Sequence, residues 1–188
     1  DDKIAWYEND GSESFTEHAI STSADGAWSV YAADVDGDGD MDVLSAHQQN
    51  GAISWYENDG NANFTTHIIN TAADRAYSVS AVDVDSDGDM DVLSASYNDD
   101  GSDRKITWHE NDGSENFTTH EITATVGEPS SVFAADVDGD GDMDVLSASN
   151  SDNKIAWYEN DGSESFTEHV ISTSANFATS VHAADVDG

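Results

Sequence analysis

Three acidic loops in the sequence have residue types and a spacing that suit a metal ion. In the first loop, Asp34, Asp36, Asp38, Asp40 and Asp42 alternate with valine, glycine and methionine. Two further loops repeat the pattern with Asp83, Asp85, Asp87, Asp89 and Asp91, and with Asp136, Asp138, Asp140, Asp142 and Asp144. Calcium takes roughly six to eight oxygen ligands from carboxylates and carbonyls, whereas magnesium prefers to keep its waters. The loops therefore predict Ca²⁺ as a bound ion.

The spacing within each loop assigns a role to each position. Carboxylates at the first, third, fifth and ninth positions of a tight loop can converge on one ion, and the main-chain carbonyl of the seventh completes the sphere. Asp40, Asp89 and Asp142 are then expected to give their carbonyls and to point their carboxylates outward. Gly39 occupies the sixth position, where a sharp turn needs glycine. The alternative is a solvated acidic turn, in which so many adjacent carboxylates would repel one another strongly without a counter-ion.

The overall composition excludes several classes of function. The chain of 188 residues has 5 Lys+Arg against 40 Asp+Glu, a formal net charge of -35. Binding to nucleic acid or to an anionic membrane surface requires many basic side chains, so both are excluded as partners. No apolar run reaches the roughly 20 residues that a membrane helix requires, so we expect no membrane insertion. Cysteine is absent, which removes disulfides and thiolate chemistry.

Internal repeats organise the whole chain. The string IAWYENDG begins at Ile4 and returns in close variants at Ile53, Ile106 and Ile155, a period of about 49 residues. Each repeat contains four short strand patterns, with an N-D-G hairpin signal between the third and the fourth. Large apolar residues alternate with Ala and Ser rather than with charges, as in strands that are buried on both faces. The pattern predicts an all-β fold, a β-propeller built from four-stranded antiparallel blades.

The sequence begins and ends part-way through a blade. We predict a single propeller region over 1–188, with a half blade at 1–22, blades at about 29–71, 78–123 and 131–172, and the first strand of a further blade at 180–188. Asp185 and Asp187 begin a fourth acidic loop. We therefore expect a fragment of a larger propeller. A four-bladed ring lacking one strand, and self-association that completes the propeller, are alternatives.

The acidic loop between two short strands resembles the FG-GAP repeat of integrin α subunits and the closely similar VCBS repeat of bacterial secreted and surface proteins. The resemblance covers essentially the whole chain, with Ser86 standing where the other two loops have glycine. It implies a β-propeller, usually of seven blades, with calcium in the blade-edge loops. Its members are extracellular and include adhesion modules, fungal lectins that bind sugars between blades, and domains attached to polysaccharide-degrading enzymes.

Comparison of the repeats with one another separates a constant face from a variable one. The acidic loop and the N-D-G turn, which share one face of the propeller, barely change between copies. On the opposite face, one position reads Gly26, Arg75, Glu128 and Phe177, and the position two residues later reads Trp28, Tyr77, Ser130 and Thr179. Drift explains such variation, and so does ligand recognition by loops on a rigid frame. If the face binds a ligand, Trp28, Arg75 and Tyr77 are the candidate anchors.

No arrangement of side chains predicts catalysis. His18, His67, His120 and His169 share one position, as do Trp6, Trp55, Trp108 and Trp157, and such repetition indicates packing. Tyr97, Arg104 and His109, near the longest connection, come closest to a non-repeated cluster. We expect a calcium-binding, extracellular or cell-surface module that binds a glycan or a protein, for example in adhesion. The alternatives are part of a polysaccharide lyase or hydrolase, and a structural array of a surface layer or fibre.

Overall fold

The computed structural model describes residues 2–101 and 103–186, and these form strands joined by loops and turns. Within those two ranges, no helix has the length and apolar character needed to cross a membrane. The strands are β1 (Ile4–Asn9), β2 (Phe15–Ser21), β3 (Ala27–Ala33), β4 (Asp42–His47), β5 (Ile53–Asn58), β6 (Phe64–Asn70), β7 (Ala76–Val82), β8 (Asp91–Ser96), β9 (Lys105–Asn111), β10 (Phe117–Thr123), β11 (Pro129–Ala135), β12 (Asp144–Ser149), β13 (Lys154–Asn160) and β14 (Phe166–Ser172).

The strands form three antiparallel sheets of four strands and one of two. The larger sheets have the orders β3-β4-β5-β6, β7-β8-β9-β10 and β11-β12-β13-β14, and β1 pairs with β2. Each sheet is a meander in which every strand pairs with the next along the chain. The all-β prediction of four-stranded antiparallel propeller blades is confirmed.

The first strand of each complete blade carries a β-bulge. Ala27 pairs with His47, but Ser29 pairs with Ala46, so Trp28 has no opposite partner. The same shift occurs in β7 and β11. These strands begin two residues before the predicted blade starts at 29, 78 and 131. A bulge interrupts the alternation on which strand prediction relies, so the sequence pattern could not show these extra residues.

The hydrophobic core lies between successive blades. Leu44 and Trp55 pack with Val79 and Val92 in one cluster, which joins the first two complete blades. A second cluster joins the next pair of blades in the same way. Every residue of β8 is buried, as expected for a strand covered on both faces.

Serine hydroxyls join the innermost strands of neighbouring blades. The N–H of Val79 donates to Ser29 Oγ at 3.4 Å, and the N–H of Val132 donates to Ser78 Oγ at 3.2 Å. Val181 donates to Ser131 Oγ at 3.3 Å, so the segment 180–186 lies against β11 as β11 lies against β7. This segment has no ladder with another strand, and its assignment to a further blade stays a prediction.

The in-register histidines stack on the in-register tryptophans. His18, His67, His120 and His169 lie with ring centroids between 4.3 and 4.7 Å from those of Trp6, Trp55, Trp108 and Trp157. Each histidine also contacts a glutamate of the neighbouring strand, with Nε2–Oε2 distances from 2.5 to 3.0 Å. Each ring is thus held by partners within its own blade, which supports a packing role.

His109 interrupts the repeat pattern inside the second complete blade. Its ring is fully buried, Nε2 lies 3.0 Å from Ser94 Oγ, and Nδ1 lies 2.9 Å from Thr119 Oγ1. The other complete blades have Tyr56 and Tyr158 at this position. Burial first, and then the nearby His120, lowers the pKa of His109 from 6.5 to about 4.

The neutral state of His109 predicts a pH-dependent stability. Because its folded pKa lies below its unfolded value, its contribution is complete above pH 6.5 and is lost as the pH falls toward 4. We expect His109→Tyr, which introduces the residue of the other blades, to remove about 2–3 kcal/mol of the stability loss between pH 7.5 and pH 4.5. Urea unfolding of both proteins at the two pH values measures this. Equal losses in both would show that His109 is not the titrating group.

Candidate metal loops and the variable face

Each acidic loop brings three carboxylates together. The groups are Asp34, Asp36 and Asp42, then Asp83, Asp85 and Asp91, then Asp136, Asp138 and Asp144, and in each group one ligand atom per residue lies within 4.8 Å of the others. These are the first, third and ninth positions of the predicted calcium loops. Three convergent carboxylates can hold a hard divalent cation.

The ninth aspartate anchors the loop to its blade. Asp42 is fully buried, and its two carboxylate oxygens accept hydrogen bonds from the N–H of Val35 at 3.0 Å and from that of Asn58 at 2.7 Å. Asp91 and Asp144 make the equivalent bonds. Burial raises the pKa of Asp91 to about 6, and burial also raises the pKa of Asp42 and Asp144. Water has little access to these buried carboxylates. A cation beside them would compensate their negative charge.

In the first two loops, the first aspartate leaves an oxygen without a partner, whereas Asp136 Oδ1 in the third loop accepts the N–H of Gly139 at 2.7 Å. Asp34 Oδ2 accepts the N–H of Gly39 at 3.0 Å, while its Oδ1 is buried and has no hydrogen-bond donor. Asp83 repeats this arrangement, with Oδ2 bonded to Gly88 and Oδ1 buried without a donor. A buried carboxylate oxygen with no donor is costly unless a cation binds it. The residues present therefore fit a metal ion.

The fifth and seventh aspartates lie outside the three-carboxylate groups. Asp38 Oδ1 accepts the N–H of Asp40 at 2.8 Å, which tightens the turn. The carboxylate of Asp40 packs on the N-D-G turn, since a Cβ atom added to Gly60 would lie only 2.4 Å from Asp40 Oδ2. Asp89 and Asp142 contact Gly113 and Gly162 in the same way. The seventh position therefore joins the acidic loop to the adjacent hairpin, a contact that the sequence did not predict.

The second loop has Ser86 where the other two loops have glycine. Ser86 adopts a φ of 63°, close to the 74° of Gly37 at the same position, so the loop conformation survives the substitution. Asp185 lines a cavity with Asp136 and Val137 of the third loop. Asp187, the other residue predicted for a fourth loop, lies outside the described residues.

The variable face displays its two most variable positions through unusual backbone geometry. Trp28 and Tyr77 are the bulged residues of β3 and β7, and bulges commonly re-aim a side chain. Gly26, Arg75, Glu128 and Phe177 all have positive φ, between 50° and 67°. Three of the four repeats thus place a non-glycine side chain in the left-handed region that favours glycine, as Ala62, Glu115 and Glu164 do beside the N-D-G turns.

A polar cleft of about 370 Å³ opens between the first two complete blades on this face. Arg75, which the sequence predicted as a ligand-binding residue, lines this cleft. The sequence did not predict the other lining residues, Gln48, Gln49, Gly51, Asp74 and Asn98. The signal for the missed residues was present, because they belong to the connections that differ between repeats. Gln49 enters the space above Gly26, where a Cβ would lie 2.6 Å from Gln49 Cγ.

An aromatic group borders the cleft and includes the other two predicted anchors. Trp28 meets Tyr77 edge-on with ring centroids 5.4 Å apart, and Tyr77 stacks on Tyr97 at 4.4 Å. The Tyr77 hydroxyl accepts a hydrogen bond from Gln48 Nε2 at 2.9 Å. Trp28 is 61% exposed. Tyr77 thus contacts Trp28, Tyr97 and Gln48, whereas Trp28 is largely exposed.

The next pair of blades has an equivalent cleft of about 480 Å³. It is lined by Arg104, whose side chain pairs with Glu128 at 3.5 Å, and by Thr125 and Asp152 among others. Tyr97, Arg104 and His109, weighed from the sequence as a catalytic cluster, have different partners: Tyr77, Glu128 and the Ser94–Thr119 network respectively. Tyr97 also lies within electrostatic reach of Glu128, the partner of Arg104, whereas His109 is fully buried in its own network.

The sequence matches the protein-family model of the FG-GAP-like repeat in four overlapping segments, 1–45, 34–94, 83–147 and 136–188. The chain belongs to the FG-GAP-like repeat family. The resemblance inferred from the acidic loops is thereby confirmed over the whole chain. A search of curated protein sequences finds no match to this FG-GAP-like protein.

Solved structures similar to this FG-GAP-like chain include a lectin from Agrocybe aegerita, described as recognising non-reducing terminal N-acetylglucosamine. The two share 16% sequence identity and a TM-score of 0.61. The alignment covers 95% of this chain and 48% of the lectin chain. At this identity, the similarity establishes a shared fold.

Proposed function

We propose that this chain is a calcium-stabilised, glycan-binding module of an extracellular or cell-surface protein. The observation that carries the proposal is the division of the repeats into two faces. One face has three nearly identical acidic loops, and the other has clefts whose lining differs from blade to blade. The first face would hold the fold with Ca²⁺, and the second would bind the ligand.

The acidic loops support calcium through their donor set. All candidate side-chain ligands are carboxylates, which hard cations prefer, and there is no cysteine in the sequence to favour a softer metal. Asp34, Asp36 and Asp42 would hold the ion in the first loop, with equivalent residues in the other two. The bound ion would supply positive charge to the buried oxygens of Asp34 and Asp83.

The cleft between the first two complete blades supports a sugar as the ligand. Sugar hydroxyls both donate and accept hydrogen bonds. The side-chain amides of Gln48, Gln49 and Asn98 also have both donors and an acceptor, so they can pair with either end of a hydroxyl. The exposed face of Trp28 suits stacking on a sugar ring. A net charge of -35 disfavours sulfated or uronic-acid polymers, so we propose an uncharged glycan. The recognition of terminal N-acetylglucosamine by a lectin of the same fold adds support.

The proposed calcium dependence also supports the location. Extracellular calcium modules bind with dissociation constants on the order of 10⁻⁴–10⁻³ M, which only calcium-rich compartments can saturate. A chain with only 5 Lys+Arg against 40 Asp+Glu has little to neutralise its carboxylates except such cations.

A pair of matched variants tests the calcium assignment. Asp36→Asn removes a carboxylate from the group in the first loop, whereas Asp40→Asn changes a carboxylate that packs on the N-D-G turn. We expect native mass spectrometry to find three calcium ions in the parent and in Asp40→Asn, and two in Asp36→Asn. If only Asp40→Asn loses an ion, Asp40 rather than Asp36 is the ligand. If both variants keep three calcium ions, the first loop is not a calcium site.

A glycan array in calcium-containing buffer tests the ligand assignment. We expect signals from neutral oligosaccharides, confirmed by titration calorimetry with the free sugar. Binding only to acidic polysaccharides, or no binding across the array together with capture of a defined extracellular protein, would contradict the proposed ligand. Calcium binding measured on the same sample keeps that result separate from a failure of the metal proposal.

A further inference from the structure

One asparagine joins each N-D-G turn to the acidic loop beside it. In the second complete blade, the backbone N–H of Asn111 donates to Asp91 Oδ1 at 2.8 Å, and its side-chain Nδ2 donates to the carbonyl of Met90 at 3.3 Å. Its Oδ1 accepts the N–H of Gly113 at 3.2 Å. Asn58 and Asn160 make the equivalent bonds in the first and third blades.

Asn111 also reaches the acidic loop of the preceding blade. Its Nδ2 donates to the carbonyl of Val35 at 3.2 Å, and Asn160 Nδ2 donates to the carbonyl of Val84 at 3.0 Å. Val35 stands between Asp34 and Asp36, two members of the first three-carboxylate group. Asn111 is only 3% exposed, so water does not replace this acceptor. A single side chain therefore bonds to the backbone of two successive loops.

A small cavity marks the same junction. It has a volume of about 60 Å³ and is lined by Val35, Asp36, Asp89, Asn111, Gly113 and Glu115. One wall thus includes a candidate ligand of the first loop, and another includes the seventh aspartate of the second. The two loops thus meet at Asn111 and at this small cavity.

We propose that Asn111 and Asn160 are positioning residues that couple calcium binding in neighbouring loops. The inference rests on the proposed binding of calcium by these loops. An ion in the first loop would fix the peptide between Asp34 and Asp36, and thereby the acceptor of Asn111. Asn111 would then hold the Met90 carbonyl and the Asp91 carboxylate of the second loop in place. Reciprocity requires the second loop to favour binding in the first by the same factor.

Asn58 provides a matched control inside the same chain. It makes the same bonds to its own loop as Asn111 does, and the described contacts give it no bond to an earlier acidic loop. Asn58→Ala and Asn111→Ala therefore remove equivalent side-chain bonds within a blade and keep the backbone N–H that bonds to the ninth aspartate, and Asn111→Ala alone removes a contact between loops.

The glycines at the sixth loop position allow each site to be followed separately. The N–H groups of Gly39, Gly88 and Gly141 each donate to the first aspartate of their own loop, at 3.0, 3.0 and 3.2 Å. A calcium titration followed by ¹H–¹⁵N NMR would report a midpoint for each loop. Circular dichroism of each variant would establish that it remains folded.

For Asn111→Ala, we expect the calcium midpoints at both Gly39 and Gly88 to rise about five- to tenfold, the lower range of ordinary coupling between sites. For Asn58→Ala, only Gly39 should shift, and for Asn160→Ala, Gly88 and Gly141 should shift together. A shift at Gly88 alone in Asn111→Ala would overturn the coupling while leaving the metal sites intact. If no glycine of the parent protein responds to calcium, the proposed metal binding is itself wrong, and the coupling is wrong with it.

Discussion

Removal of calcium is expected to lower the melting temperature of this protein by more than about 15 °C. A ligand that binds only the folded state stabilises it by about 2.7 kcal/mol when its free concentration is a hundred times its dissociation constant, which is about 10–100 mM calcium for dissociation constants on the order of 10⁻⁴–10⁻³ M. Three such ions together approach the whole stability of an ordinary domain, about 5–15 kcal/mol. Each kcal/mol shifts the melting temperature by roughly 2–4 °C in a chain of this size. Calorimetry with and without a chelator measures the effect.

Ionic screening must be separated from specific binding in that experiment. The chain carries a net charge of -35, and sodium chloride alone relieves part of its self-repulsion. Samples should therefore have equal ionic strength, and calcium added in excess of the chelator should restore the transition. If the melting temperature is the same with and without chelator at matched ionic strength, calcium does not stabilise the folded protein.

Removal of the aromatic pair at the variable face is expected to weaken glycan binding about thirtyfold. Aromatic anchors typically cost about 2 kcal/mol or more when truncated, and about 1.4 kcal/mol corresponds to a factor of ten. The variant is Trp28→Ala combined with Tyr77→Ala, and calorimetric titration with a glycan identified on the array measures its affinity. Because Trp28 is largely exposed and neither residue touches an acidic loop, calcium content should not change.

A substitution on the opposite face provides the control for the aromatic variant. Asn61, directly after the N-D-G turn of the first complete blade, is exposed and uncharged, so Asn61→Ser alters the constant face without changing charge. We expect this variant to bind the glycan as the parent does. If Asn61→Ser loses glycan binding and the aromatic variant keeps it, our proposal has placed glycan recognition on the wrong face.

The repeat sequence carried most of the information about the fold. The strand pattern that ends in the N-D-G hairpin signal occurs in four copies, separated by about 49 residues, so an accidental pattern in one copy is corrected by the others. The acidic loops were predictable for the same reason, because a ligand set that lies within nine consecutive residues converges through local geometry alone. The structure brings Asp34, Asp36 and Asp42 together, whereas Asp38, which the spacing also placed at the ion, lies outside this group.

Contacts between blades were decided by the tertiary structure. The bond from Asn111 to Val35 spans 76 residues, and nothing in either local pattern specifies which neighbour a buried amide will meet. The bulges that display Trp28 and Tyr77, and the cleft that gathers Gln48 with Arg75, likewise arise from how one blade is placed on the next. Local periodicity specifies which residues share a strand or a loop. The packing of large side chains between sheets decides which loops become neighbours, because that packing depends on all blades at once.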